Sequence, residues 1–194
     1  MNDGHKFIGF DLGAESGRCI VSVLKDQKII LHEVHRFKTH NYHNDSGFHW
    51  DISKIQNEII EGIKKAASNF GSSFDGISVD TWGVDYVFID KNGEVLSDPF
   101  HYRDGRTDLM MDEAFKIVPK EKLYGKTGIQ FAQYNTLFQL LAEKRSGNNL
   151  LNAADKMLLM PDFLNYTLSG IKAADFSIAS TTSLDSYYQF PSVF

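Results

Sequence analysis

A single cysteine, Cys19, stands among 194 residues, so no internal disulfide can form and the composition fits a reducing, cytoplasmic setting. No apolar run approaches the length needed to cross a bilayer. The first residues, Met1 to Lys6, are polar and carry no apolar signal segment. Basic excess is also missing: the net charge is −5, which excludes a general affinity for nucleic acid or anionic membranes. There is no internal repeat and no low-complexity linker.

What is present is ordinary globular material, 42% hydrophobic and 23% charged, enough for one domain with a proper core or a domain plus a small lobe. Phe7–Asp11, Arg18–Lys25 and Ile29–Phe37 read as three consecutive strands of an antiparallel meander, with Asp26-Gln27 turning the second pair. Lys38 to Phe48 reads as a polar loop. Asp51 caps a helix whose apolar positions, Ile52, Ile55, Ile59, Ile60 and Ile63, recur at helical spacing. Gly76–Thr81 reads as a strand, and Tyr86–Ile89 with Glu94–Leu96 as a hairpin turned by Asn92-Gly93. The second half is mainly helical: Arg106–Val118, Asn135–Lys144 with a stop at Gly147, a short strand at Met157–Met160, and Asp162–Leu168 closed by Gly170. Strands, a helix, strands and then helices make an α/β domain, a mixed sheet covered by helices.

The stretch FIGFDLGAESGR, Phe7 to Arg18, ends a strand in an acid and turns through small residues. Such turns let backbone N–H groups face phosphate. It is not a P-loop, because only three residues separate Gly13 from Gly17 and Arg18 follows. It is not a dinucleotide fingerprint either, since the turn feeds the β-branched run Cys19 to Leu24 rather than a helix. The unit is a hairpin with Asp11 at the end of its first strand, and a plain glycine-rich hairpin turn is the competing reading.

FDLGAESGR together with SVDTWGVDYVFID resembles the FGGY family of carbohydrate kinases, and within it the rhamnulokinase branch. HYRDGRT (101–107), TGIQFAQYNTLFQL (127–140) and LLMPDFLNYTLSG (158–170) follow in the same order. The resemblance spans about Phe7 to Thr182. It implies an RNase H-like fold of the actin-like ATPase superfamily, a mixed sheet with a three-stranded antiparallel meander flanked by helices. It implies that residues 1–182 are the sugar-binding N-terminal domain, that 183–194 are an unplaced tail, and that a nucleotide-binding second domain lies outside this span. ATP and magnesium are the implied cofactors. The partners are a small sugar and ATP, with no nucleic acid and no membrane, and with self-association through the exposed domain face.

On that resemblance Asp11 is the magnesium carboxylate, since phosphoryl transfer needs a divalent ion held through carboxylates and water. Ala14, Glu15, Ser16, Gly17 and Arg18 match the phosphate turn: small residues admit the backbone, Ser16 adds a hydroxyl and Arg18 opposes negative charge. Glu15 suits phosphate poorly, so its side chain is expected to point away. Trp82, Gly83 and Asp85 shape the sugar pocket, with an aromatic face, a close backbone approach and a hydroxyl acceptor. A core role for Trp82 competes with that reading, and Asp80 is expected to bond within the fold. Arg106 lines the pocket, whereas Asp104 in YRDGR reads as a salt-bridged corner. Gln130, Tyr134 and Asn135 are further candidates for sugar hydroxyls.

The histidines His32, His35, His40, His43 and His49 do not make a zinc site, because only His40 and His43 have ligand-like spacing and no cysteine lies nearby. The general base that a sugar kinase requires matches no residue here, so the span by itself is expected not to phosphorylate sugar. The tail residues Tyr187, Tyr188, Phe190, Pro191 and Phe194 match nothing in the pattern. Two alternatives stay open: another ketose kinase of the family, for xylulose or fuculose, or a non-catalytic sugar-sensing or interaction module on the same fold.

Overall fold

A computed structural model describes residues 4–184; the tail residues named above lie outside the described residues. Three strands open the chain, β1 (His5–Leu12), β2 (Ser16–Lys25) and β3 (Lys28–Lys38). A short hairpin follows, β4 (Asn41–Asn44) and β5 (Gly47–Trp50), then α1 (Ile52–Phe70) and β6 (Gly76–Thr81). After β7 (Tyr86–Ile89) come a 3-10 turn at Gly105–Thr107, α2 (Met110–Ile117), α3 (Lys120–Thr127), α4 (Thr136–Ser146), α5 (Leu150–Ala153), β8 (Lys156–Leu159), α6 (Met160–Ser169) and α7 (Phe176–Ala179).

The main sheet has the order β3-β2-β1-β6. β1, β2 and β3 form the expected antiparallel meander, and β6 joins β1 in parallel after the crossover through α1. Asp26 and Gln27 both take positive φ, which matches the right-handed twist of a two-residue hairpin. Alternation does the rest. Ile8, Phe10 and Leu12 of β1 are buried with Cys19 and Val21 of β2 and Val79 of β6, and against them lie Ile52, Ile55, Ile59 and Ala66 of α1. Asp51 caps α1 by accepting from Lys54 N at 3.0 Å. Burial pushes the Cys19 thiol up to about 11, which leaves it an inert core residue. On the outer side of β6, the Asn165 amide of α6 accepts from Val79 N and donates to Val79 O, both at 3.3 Å, in place of another strand.

Three expectations differ from the structure. The polar stretch before Asp51 is not a loop: Asn41–Asn44 pairs with Gly47–Trp50, because Asn44 Oδ1 accepts from Ser46 N and Gly47 N and so builds the turn from its own side chain. The hairpin turned by Asn92-Gly93 shrinks to one bridge between Ile89 and Val95, and β7 takes β8 as its antiparallel partner instead. The helix expected from Arg106 breaks at Leu109, which has φ 66° and separates the 3-10 turn from α2.

Candidate functional site

Parallel neighbours end side by side, so β1 and β6 deliver their following turns to one edge of the sheet. Asp11 lies opposite Arg18 on β2 and beside Asp80 on β6. Phe10 and Leu12 point into the core, which leaves Asp11 on the other face with half its side chain exposed. Arg18 Nη2 donates to Asp11 Oδ2. Asp80 is exposed next to this pair. The edge therefore carries two carboxylates and one guanidinium, hard oxygen donors of the kind magnesium takes and a cation that suits phosphate.

The turn after Asp11 is held by a residue that the sequence pattern did not reveal. Thr39, almost fully buried, donates its hydroxyl to Gly13 O at 2.7 Å and its backbone N–H to Glu15 O at 3.1 Å. Gly13 N closes the turn on Ser16 O at 2.9 Å. Ala14 and Ser16 are half-buried and Glu15 is exposed. Gly17 has a steric reason to be glycine that comes from the core: a Cβ there would lie 2.7 Å from Leu12 Cδ2 and would overlap the Phe37 ring. Packing on the inner side alone is thus enough to exclude a side chain at position 17.

The turn after β6 is built around a buried carboxylate. Asp85 has no exposed surface. Its Oδ2 accepts from Trp50 Nε1 at 2.6 Å, from Trp82 Nε1 at 3.0 Å and from Tyr102 N at 3.1 Å, and its Oδ1 accepts from Gln139 Nε2 at 2.9 Å. Burial raises its pKa to about 7 in spite of these four donors. The expectation that Asp85 accepts from sugar hydroxyls is thereby corrected: both oxygens are engaged inside the protein, and Asp85 positions the rings around it. Trp82 is half-buried against the core, with its indole N–H tied to Asp85.

Val84 takes φ 69°, and Asp85 N donates to Gly83 O at 2.9 Å, so a γ-turn of the strained left-handed kind centres on a β-branched residue. Such a conformation costs on the order of 1–3 kcal/mol and persists only where the surroundings impose it. Here they do. Val84 N donates to Thr181 Oγ1 at 3.0 Å, and Val84 O accepts from Thr136 Oγ1 at 2.6 Å and from Gln139 Nε2 at 3.3 Å.

A column of rings leads into this turn. His43 stacks on Phe48 at 4.1 Å, Phe48 on His101 at 4.1 Å, His101 on Trp50 at 3.9 Å and Trp50 on Trp82 at 4.0 Å. Burial lowers the pKa of His101 to about 4, so the column holds a neutral imidazole near neutral pH. Beside it the exposed Tyr134 meets Tyr102 edge to face at 5.9 Å.

Arg106 departs from its expected place. Its Nη1 donates to Glu143 Oε2 at 2.8 Å, its Nη2 to Gln139 Oε1 at 2.9 Å, and its guanidinium lies 3.7 Å from the Phe100 ring centroid. It therefore stands behind Asp85, one residue removed through Gln139, and its far side borders a surface cavity of about 300 Å³ shared with Phe100, Met110, Arg145 and Asn148. Asp104 is a structural corner, made with the N–H groups of Phe48 and Arg106 at 2.7 and 2.8 Å. Asn135 is buried and bonds Ala132 N and Thr181 O, whereas Gln130 is exposed. The sequence gives little warning of Trp50, Gln139 or Thr181. Trp50 follows a stretch that reads as loop, and the one signal for Gln139 is a polar residue set between Phe138 and Leu140.

Comparison with known proteins matches residues 6–187 to the N-terminal domain of the FGGY family of carbohydrate kinases. The chain is 44% identical over 177 residues to the rhamnulokinase of Oceanobacillus iheyensis, covering 91% of this chain and 37% of that protein. It is 37% identical over 178 residues to the rhamnulokinase of Bacillus subtilis, covering 92% of this chain and 36% of that one. The chain thus spans a little over a third of the length of these relatives. Among solved structures, a gluconate kinase from Lactobacillus acidophilus superposes with TM-score 0.81 at 16% identity, over 92% of this chain and 36% of that one. A xylulose kinase from Rhodospirillum rubrum does so with TM-score 0.80 at 20% identity, over 93% of this chain and 38% of that one. At such identities these structures speak for the fold alone.

Proposed function

The chain belongs to the FGGY family of carbohydrate kinases, and from that premise we propose that it is the sugar-binding part of an ATP-dependent ketose kinase acting on L-rhamnulose. The observation that carries the reading is the common edge of β1 and β6, where the Asp11–Arg18 pair and the turn 82–85 emerge from neighbouring parallel strands. One end of that edge has the charges for phosphate and the other has aromatic and backbone surface for a sugar. The choice of rhamnulose leans on the identity to proteins named rhamnulokinase.

In this reading the sugar lies against Trp82 and Gly83, near the Tyr102–Tyr134 pair. Its 1-hydroxyl oxygen attacks the γ-phosphorus of ATP, the bond from that phosphorus to the ADP oxygen breaks, and the hydroxyl proton passes to a base supplied from outside the described residues. Arg18 and the turn 13–16 receive the phosphates. Asp11, with Asp80 at its side, is the carboxylate that would hold magnesium, which neutralises charge on the phosphate oxygens. Phosphoryl transfer of this kind depends mainly on positioning and electrostatics, so the rigidity of both turns matters as much as the groups they carry.

Isothermal calorimetry of the chain with L-rhamnulose, L-fuculose and D-xylulose tests the sugar assignment, and a titration with magnesium and ATP tests the phosphate end. Rhamnulose is expected to bind most tightly, with Asp11→Asn weakening magnesium–ATP binding and leaving sugar binding in place. Tighter binding of xylulose or fuculose would overturn the substrate, and an equal loss of both ligands in Asp11→Asn would overturn the division of roles.

A further inference from the structure

We propose that Thr181 is the specificity-determining wall of the sugar pocket, its side chain standing in the space that any side chain at position 83 would need. The inference rests on reading the turn 82–85 as sugar-facing, and names a residue of that same site.

Gly83 is glycine without any demand from its own backbone, for its φ lies outside the left-handed region. The demand comes from its neighbour. A Cβ on Gly83 would lie 2.7 Å from Thr181 Cγ2, 2.8 Å from Oγ1 and 3.0 Å from Cβ. Two residues almost a hundred positions apart thus share one volume, and Thr181 occupies it.

Thr181 cannot easily swing aside. Its hydroxyl donates to Ile178 O at 2.8 Å and accepts from Val84 N at 3.0 Å, which fixes χ1 and holds the methyl toward Gly83. Its carbonyl accepts from Asn135 Nδ2 at 3.0 Å, and the carbonyl of Thr182 accepts from Leu137 N at 2.9 Å, so the segment is fastened to the start of α4. Thr181 remains half-buried rather than sealed in the core. A ligand that reaches the backbone at Gly83 therefore meets the Thr181 side chain next. The two parts of this side chain do different jobs: the hydroxyl holds the strained turn at Val84, and the methyl sets the room beside Gly83.

Two substitutions separate those jobs. Thr181→Ser keeps the hydroxyl and removes the methyl. Its ratio of affinities for L-rhamnulose, L-fuculose and D-xylulose, measured by calorimetry, is expected to change by about tenfold, the size of effect a single methyl has in a pocket, while the melting temperature holds. Thr181→Val keeps the shape and removes the hydroxyl, so its melting temperature is expected to fall with the ratio retained. A stability cycle tests the shared volume apart from any sugar: Gly83→Ala lowers the melting temperature in the wild-type background, and most of that loss disappears when Thr181→Ala is added. An unchanged affinity ratio in Thr181→Ser, or an equal Gly83→Ala loss in both backgrounds, would overturn this inference while sugar binding stands. No binding of any of the three ketoses by the wild-type chain would instead overturn the sugar reading, and this inference with it.

Discussion

The indole N–H of Trp50 donates to Asp85 Oδ2 at 2.6 Å, and both residues are completely buried. This bond ties the end of the β4–β5 hairpin to the turn after β6, and three further donors converge on the same carboxylate. Removing the acceptor takes the partner from the Trp50, Trp82 and Tyr102 donors, while Gln139 Nε2 keeps Val84 O and Tyr134 O. With about 1–3 kcal/mol lost for each buried group left unpaired, Asp85→Ala is expected to cost roughly 3–6 kcal/mol, a large share of an ordinary domain's stability. Urea denaturation checks this; a loss below about 1 kcal/mol would mean that the donors find water and that Asp85 organises nothing.

Asp85 and His101 also set opposite pH dependences in one window. The Asp85 carboxyl titrates near 7 in the fold against an ordinary 3.8. Between those values the folded chain holds a proton that the unfolded chain has released. Its stabilising contribution is therefore complete below about pH 4 and is lost as pH rises through 7. His101 titrates near 4 against an ordinary 6.5, so its contribution is present above about 6.5 and is lost as pH falls through 4. The wild type's advantage in melting temperature over Asp85→Asn should shrink from pH 4 to 7, and its advantage over His101→Phe should grow. Phe keeps the stacking between Phe48 and Trp50 while removing the titration. Two differences running in the same direction would refute the assignment.

Gly17→Ala is expected to destabilise the chain by about 1–3 kcal/mol, the usual range for overpacking a filled core. The added methyl meets Leu12 and Phe37 on the inner side, away from Asp11. Adding Phe37→Leu should recover part of the loss. A variant that keeps full stability but loses nucleotide affinity would instead place the demand for glycine on the open side of the turn.

The meander, the Asp51 cap and the αL glycines at Gly147 and Gly170 were legible because each is a local pattern of alternation, capping or turn chemistry. The position of Asp11 at a strand end was legible for the same reason. The hairpin at Asn41–Trp50 was not, since its register depends on Asn44 folding back on its own chain and on β5 bonding to the 99–101 segment, a contact across about fifty residues. The resemblance of their motifs puts Asp85 and Arg106 at a sugar pocket, and no local pattern in the sequence shows that both side chains are engaged inside the protein. The partners that bury them, Trp50, Gln139 and Glu143, come from elements whose meeting no local period encodes.

Arg18→Gln separates phosphate chemistry from fold. Its ion pair with Asp11 is about half exposed on both sides, so its loss should change stability by no more than about 1 kcal/mol. Magnesium–ATP affinity should fall by about tenfold or more, because a charge-assisted phosphate contact goes with the guanidinium. Thermal melting and calorimetry on the same sample decide it; unchanged affinity with lowered stability would make the pair a structural clasp.

The pair formed by Arg106 and Glu143 should behave in the opposite way. Glu143 is 3% exposed, and Arg106 is its only cationic partner among the described residues, with Asn148 donating as well. Arg106→Met leaves that carboxylate without its counter-charge, which typically costs about 3–5 kcal/mol when one member of a buried pair is removed. It also frees the Gln139 carbonyl oxygen, so the amide that donates to Asp85 loses its anchor. Arg106→Lys should rescue poorly, because one ammonium cannot span both Glu143 and Gln139 as the guanidinium fork does. Replacing both partners, Arg106→Met with Glu143→Met, removes the uncompensated charge and should recover most of the lost stability. Denaturant titrations of the three variants and the wild type give the free energies, and tryptophan emission, sensitive to Trp82 beside Asp85, reports whether the disturbance travels through Gln139. A single Arg106→Met variant as stable as the wild type would show that solvent already screens Glu143, and that Arg106 does not brace the turn it stands behind.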